Sequence, residues 1–413
     1  MWEQLQLTYD HQIDKIWILN VGDLKPMEFP ITMFLEMAWN PKSYTIDNLM
    51  EHVEEFCAQQ FGIQQAKEAA RILNLLCKYN GRSTAEMLDR GTYNLQNGEW
   101  EKVVNQYAKL EAEALRQYMT LADNQKDAYK QLILFPLQAM GNVYEMYYAQ
   151  AMNHYYASVG LPDANAWADK VEECFHRDSV LCADYNKNIA GGKWDGMMIQ
   201  KHIGYFMWND NFPKDTCPKV VRVATSNKDS EVVFKPKNGV VAIEAQHFAS
   251  ATDAASGAKW TTIPDMGRTL SGVSLMPYTK ETAGARLDYK MELPEVNGEV
   301  KVHFLLNSTL PFKRAQGHRF LVSFNGGEKT EVNFNEKLNE NPENVYSIYY
   351  PTVARRVVAA EATVKVPTRG KGDVILTIEP IEPGMVMEKI VIDLGGFEDS
   401  MLYGEESPMR VLK

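Results

Sequence analysis

Apolar positions follow three successive patterns along this chain. The first is a short continuous run, Ile16-Trp17-Ile18-Leu19, that breaks into the polar, glycine-containing segment Asn20 to Glu28. A run apolar on both faces predicts a strand covered on two sides, as in a parallel sheet, yet no earlier strand is visible to pair with it. Functional loops of such sheets leave the C-terminal ends of strands, and Asn20, Gly22, Asp23, Lys25 and Glu28 occupy that position.

After Pro30 the period becomes helical and stays so to about residue 205. Leu49, Val53, Phe56, Cys57 and Phe61 recur at helical spacing, as do Ala66, Ala69, Ala70, Leu73, Leu76 and Cys77, which predicts two amphipathic helices joined at Gly62. Ser83 and Glu86 have the spacing of a capping box. Trp100, Val103, Tyr107, Leu110, Ala114, Tyr118 and Leu121 mark a third long helix, and Leu132 to Ala157 a fourth, kinked at Pro136.

Between residues 206 and 238 periodicity fails among prolines and a Ser-Asn-Lys-Asp run, as in a linker or an extended wrap. Beyond it the period is two. Leu287, Tyr289, Met291 and Leu293 alternate with Asp288, Lys290 and Glu292, and Val300, Val302, Phe304 and Leu306 with Glu299, Lys301 and His303. Phe320, Val322 and Phe324 lead through Asn325-Gly326-Gly327 to Val332 and Phe334, a hairpin signal. Val364 and Val366, then Val374, Leu376 and Ile378, then Ile390 and Ile392 complete the pattern of an antiparallel β-sandwich.

Composition narrows the chemistry. A length of 413 residues, 45% of them hydrophobic, accommodates two or three domains with real cores. A net charge of −11 argues against a nucleic-acid or anionic-membrane partner and leaves neutral ligands such as sugars open. Aromatics at 11% fit stacking on sugar faces and fit an ordinary core equally well. Cys57, Cys77, Cys174, Cys182 and Cys217 are an odd number without a CxxC pair, which disfavours disulfides or a zinc knuckle. Cys57 and Cys77 read as small hydrophobes on helical stripes. His11, His52, His154, His176, His202, His303 and His318 show no metal-ligand spacing, so no metal site is expected. No stretch is long and apolar enough to cross a bilayer, and Met1 to Gln6 lacks the order of a signal peptide.

Three segments together resemble glycoside hydrolase family 115, the xylan α-1,2-glucuronidases. They are Ile16 to Pro30; Phe135 to Asn153; and Gly239 to Phe248 with Trp260 and Ile263 to Arg268. The first is similar to the motif that closes the family's catalytic barrel, the second to the signature of its helical domain, the third to the start of its C-terminal β-domain. The resemblance implies a multidomain α and β chain. Residues 1–40 would be the remnant of a (β/α)8 barrel, 41–205 a helical bundle, 206–238 a linker, and 239–413 a carbohydrate-binding-like β-sandwich. Family members carry an N-terminal domain and most of the barrel ahead of such a motif. Met1 is therefore expected to begin part of a longer enzyme, whether by truncation, a split gene or a misassigned start. Most catalytic carboxylates would lie upstream, and none is assigned here.

By resemblance the intact enzyme removes glucuronic or 4-O-methylglucuronic acid from glucuronoxylan by inverting hydrolysis, with a water between two carboxyl groups. It needs no metal or organic cofactor and works in a bacterial periplasm or outside the cell. Asp23 or Glu28 could orient water or bind a sugar hydroxyl, while Asn20 and Lys25 could bond and charge-pair with a uronate. The competing reading is structural: Asp23 caps the helix after Pro30, or holds the loop while Gly22 supplies an unusual φ. Tyr144 and Tyr148 share a helical face that could line a sugar cleft or fill a core; Gln138 and Asn142, four residues apart, read as helix-bridging groups. Glu244, His247 and Trp260 could form a carbohydrate surface, or belong to a sandwich that braces its neighbour or forms a homodimer. The alternative to an enzyme part is a non-catalytic carbohydrate-binding or assembly module.

Overall fold

The computed structural model describes residues 1–22, 24–204, 214–224, 232–296, 298–309, 312, 317–367 and 372–410. The chain divides into two compact units, Met1–His154 with Asn165–Arg222, and Tyr155–Ala164 with Val223–Lys413.

The first unit is helical: α1 (Trp2–Asp10), α2 (Glu28–Trp39), α3 (Leu49–Phe61), α4 (Ile63–Asn80), α5 (Glu99–Thr120), α6 (Asp123–Tyr129), α7 (Phe135–Ser158) and α8 (Asp163–Asn188), the last two contributing their linking turn to the second unit. The apolar stripes read from the sequence face one another. Val53, Phe56, Cys57 and Phe61 of α3 share a core with Ala66, Ala69, Ala70, Leu73 and Leu76 of α4, and with Trp100, Tyr107, Tyr129 and Tyr144. Gly62 makes the α3–α4 junction with φ of 81°, where a side chain would be strained. Cys77, by contrast, is exposed at the edge of its stripe. Gln138 donates to Glu111 at 3.0 Å and Asn142 to the Cys174 carbonyl at 2.8 Å, so both bridge helices.

Three local expectations fail for identifiable reasons. Ile16 to Leu19 form no strand, and Ile16 and Ile18 are 75% and 88% exposed. A strand needs a neighbour to take its backbone N–H and C=O groups, and the described residues of this unit hold no other strand. Only Trp17 packs inward, against Phe34 with ring centroids 6.2 Å apart. Ser83 caps nothing: the turn Ala85–Met87 follows Thr84 without a side-chain cap, and the next helix waits until Glu99. The irregularity expected at Pro136 lies one turn earlier, as a π-helical turn over Lys130–Leu134. Pro136 has no N–H for the carbonyl four residues back, and a widened turn just before it accommodates that loss.

Residues 214–222 carry no helix or strand and lie against α7 and α8. Asn153 of α7 exchanges two hydrogen bonds with the Val221 backbone, at 2.8 and 2.9 Å, and Arg222 reaches Asp169 and Glu172 of α8.

The second unit holds two antiparallel sheets. One runs β3 (Lys259–Pro264), β4 (Ser271–Met276), β11 (Val386–Asp393), β6 (Glu299–Asn307), β9 (Val357–Lys365), with β1 (Val240–Glu244) also on β11; the other runs β2 (Ser250–Thr252), β5 (Arg286–Leu293), β10 (Gly372–Pro380), β7 (Arg319–Phe324), β8 (Thr330–Asn333). The alternating residues Leu287, Tyr289, Met291, Val302, Phe304, Phe320, Val322, Leu376 and Ile390 meet in one core. The β7–β8 hairpin turns at Asn325 and Gly326, whose φ of 50° and 67° suit the sequence Asn-Gly. In β11 the ladder with β6 shifts register between Met387 and Lys389, so Lys389 enters the polar cluster described below.

Candidate functional site

The polar loop after residue 19 converges with residues far along the chain, all in the first unit. Lys25 Nζ lies 2.5 Å from Glu28 Oε1 and 4.3 Å from the centroid of the Trp194 ring. Gln131, from the π-helical turn, donates to the same Glu28 oxygen at 2.6 Å. The other carboxylate oxygen, Oε2, is buried with no hydrogen-bond partner among the described residues, and the Tyr185 hydroxyl shares that condition. Burial, then the nearby Glu28 charge, pushes the Tyr185 phenol above its ordinary range. Trp194 is half-buried and carries a second ammonium, Lys193, 4.8 Å from its ring. Two ammoniums gathered over one indole ring suit a ligand that carries a negative charge.

Of the loop residues singled out by sequence, Lys25 and Glu28 are brought together. The Asn20 side chain accepts from Gly22 N at 3.3 Å and is otherwise in solvent; Asp23 lies outside the described residues. Trp194, 169 positions from Lys25, escaped the sequence reading. Its only signal is an exposed-type Lys-Trp pair directly after the Gly191-Gly192 turn.

The aromatic candidates are placed differently. Tyr144 is fully buried between Tyr107 and Trp100, and Tyr148 is half-buried against Trp100 and Trp167. Trp260 is 3% exposed and donates its indole N–H to the Thr252 carbonyl at 3.0 Å. Tyr144 and Trp260 are core residues and present no face to a sugar.

Glu244 and His247 sit in a closed polar network of the second unit. Lys389 Nζ donates to Glu244 at 2.9 Å and to the carbonyls of Leu402 and Gly404 at 3.2 and 2.7 Å, while Thr269 donates to the other Glu244 oxygen at 2.7 Å. His247 Nδ1 donates to Glu406 at 2.8 Å and Nε2 faces Asp163 at 3.3 Å. Burial alone would lower its pKa, but the two carboxylates outweigh burial and hold the imidazole up at about 10. Every strong donor there has an acceptor, as expected of a structural cluster.

A third grouping stands on a cavity of about 460 Å³ in the first unit. Asp178 and Cys182, one helical turn apart on α8, meet His202, and their ligand atoms lie within 4.8 Å of one another. The sequence gives little sign of this. His202 stands 24 residues from Asp178, in a stretch whose apolar spacing reads as helical but which is irregular after α8 ends at Asn188.

Comparison with known proteins bears on both units. Residues 1–87 match Glycosyl hydrolase family 115, and residues 233–406 match the Glycosyl hydrolase family 115 C-terminal domain. No curated protein matches the chain. Among solved structures it is similar to a family 115 4-O-methyl-α-glucuronidase with specificity for decorated arabinogalactans, at 20% identity and TM-score 0.41 over 95% of this chain and 47% of that one. It is also similar to the C-terminal family 6 carbohydrate-binding module of a laminarinase from Zobellia galactanivorans, at 16% identity and TM-score 0.25 over 37% of this chain and 98% of that one. A family 35 carbohydrate-binding module from Clostridium thermocellum matches at 14% identity and TM-score 0.26, over 37% of this chain and 97% of that one. The chain thus spans about half the length of the glucuronidase, 47%. With one family match in each unit, the chain belongs to glycoside hydrolase family 115.

Proposed function

We propose that this chain supplies a uronate-binding wall to a family 115 α-glucuronidase, which removes glucuronic or 4-O-methylglucuronic acid side chains from a plant polysaccharide such as glucuronoxylan by inverting hydrolysis. The observation that carries the reading is the half-buried Trp194 ring with Lys25 and Lys193 at 4.3 and 4.8 Å. The C6 carboxylate of a uronic acid pairs with an ammonium held over the ring. Glu28 holds Lys25 in place beside the ring. The exposed run around Ile16 and Ile18 supports the further reading that this segment is the last strand of a catalytic barrel. In that arrangement the helical unit is the family's helical bundle, and the acid and base that flank the scissile bond come from the rest of the barrel.

Affinity electrophoresis tests the substrate class. Migration should be retarded in glucuronoxylan and not in unsubstituted xylan, and Lys25→Met should abolish the difference. Equal migration in both gels would reject the uronate reading. Separately, the purified chain should release no uronic acid from aldouronic oligosaccharides; steady turnover would show that the acid and base lie within these residues.

A further inference from the structure

The grouping of Asp178, Cys182 and His202 shares no side chain with the Lys25 cluster, although Cys182 and Trp194 pack on the same small core of Phe135, Tyr185 and Ile189, and it plays no part in the proposed glycosidase chemistry. Asp178 and Cys182 stand at i and i+4, so both project from one face of α8. His202 comes from the irregular segment that follows α8, and its position is held by its backbone. Asp215 accepts from His202 N at 2.7 Å and from Ile203 N at 2.8 Å with a single carboxylate oxygen. The ring orientation is held as well. Nδ1 lies 2.9 Å from the Gln200 carbonyl, which can only accept, so Nδ1 carries a proton; Nε2 is turned toward Asp178, at 2.9 Å, and in the metal-free protein donates to that carboxylate. An imidazole fixed through its far nitrogen by a carbonyl is the arrangement that protein metal sites use to aim a ligand.

The donor set is one nitrogen, one sulfur and one oxygen, all within 4.8 Å of one another. That mixture matches a borderline-soft divalent ion of tetrahedral habit better than Mg²⁺ or Ca²⁺, which take oxygen alone. Asp178 is buried, while Cys182 and the His202 ring are only partly covered and border the cavity of about 460 Å³. Phe135, Met140, Val143 and Ile203 make much of the remaining wall apolar. Three protein ligands on one side and a cavity on the other leave a fourth position for water or an incoming oxygen ligand.

We propose that Asp178, Cys182 and His202 form a Zn²⁺ site with its open coordination position facing this cavity. On binding, the Cys182 thiol gives its proton to solvent, and any proton on His202 Nε2 leaves with it; the metal then takes the thiolate, the imidazole nitrogen and one Asp178 oxygen.

The test uses the whole chain with Zn²⁺ and Co²⁺ as the probes. After removal of metal by a chelator and dialysis against micromolar Zn²⁺, the protein should retain one equivalent and its Tm should rise by several degrees. Co²⁺ should give a thiolate-to-metal charge-transfer band together with the intense visible absorption of a four-coordinate ion. Cys182→Ser, which keeps the size and removes the soft donor, should abolish that band and weaken Zn²⁺ at least tenfold while leaving the far-ultraviolet spectrum of the metal-free protein unchanged. His202→Gln should do the same to Zn²⁺ retention. The proposal fails if the protein emerges without bound Zn²⁺ and shows no cobalt band, in which case Asp178 and His202 are an ion pair that fastens the 200–203 segment. It fails equally if Zn²⁺ is retained undiminished by both variants, which would mark adventitious binding elsewhere.

Discussion

Two lysine–glutamate pairs in this chain have the same chemistry and opposite surroundings. Lys389 and Glu244 lie in the second unit with side chains 2% and 7% exposed, whereas Lys25 and Glu28 in the first are 17% and 23% exposed. Around Lys389 the accounts of donors and acceptors close. The ammonium has a carboxylate and two carbonyls, and both Glu244 oxygens are engaged. Around Lys25 they stay open among the described residues, with one buried carboxylate oxygen lacking a partner and an ammonium resting on an aromatic ring. A closed pair fixes structure, because water or ligand has nothing left to bind; the open one holds an ammonium over a half-buried ring, where it can pair with an anion.

Breaking the closed pair should have the largest effect. Lys389→Met leaves Glu244 charged and buried, and should cost about 3–5 kcal/mol of unfolding free energy, read by urea denaturation. Trp260→Ala should destabilise by a similar ~3–5 kcal/mol through the cavity it opens and leave retention in glucuronoxylan unchanged, which sharpens the assignment of Trp260 to the core.

A smaller, pH-dependent effect belongs to His247. Its imidazole is raised from an ordinary 6.5 to about 10, so its stabilising contribution is complete below about 6.5 and is lost as pH rises through about 10. Thermal unfolding followed from pH 6 to pH 10 should show a falling Tm in the native chain and a flatter profile in His247→Gln. The smallest stability change is expected at the open pair. Lys25→Met should cost less unfolding free energy than Lys389→Met, because the pair is less buried, while removing retention by glucuronoxylan. A large loss of stability there would erase the distinction between the two pairs.

How much of this was readable in the sequence depends on the range of the interaction. The stripes of α3 and α4 and the alternation of β5, β6 and β10 are local, and each side chain's burial follows from its neighbours three, four or two positions away. The Asn325-Gly326 turn is equally local. Ile16 to Leu19 carry the composition of a strand, but pairing is a property of two segments, and within the described residues of the first unit there is no second one. Lys25 and Glu28 could be singled out because they follow an apolar run. Their partners, Trp194 and Gln131, come from a glycine turn and a π-helical turn that no periodicity marks. The closed network left both readings of Glu244 and His247 open for the same reason. Glu244 and His247 look like surface groups until Lys389 and Glu406, about 150 residues on, neutralise them.

The open pair bears the functional claim and can be observed directly. Titration of the ¹⁵N-labelled chain with 4-O-methylglucuronic acid should move the Trp194 indole N–H signal, assigned by its loss in Trp194→Phe. Glucose should leave it still, and Lys25→Met should remove the response to the acid. An indole signal that ignores the uronic acid, or answers glucose equally, would contradict the assignment of this cluster to uronate binding.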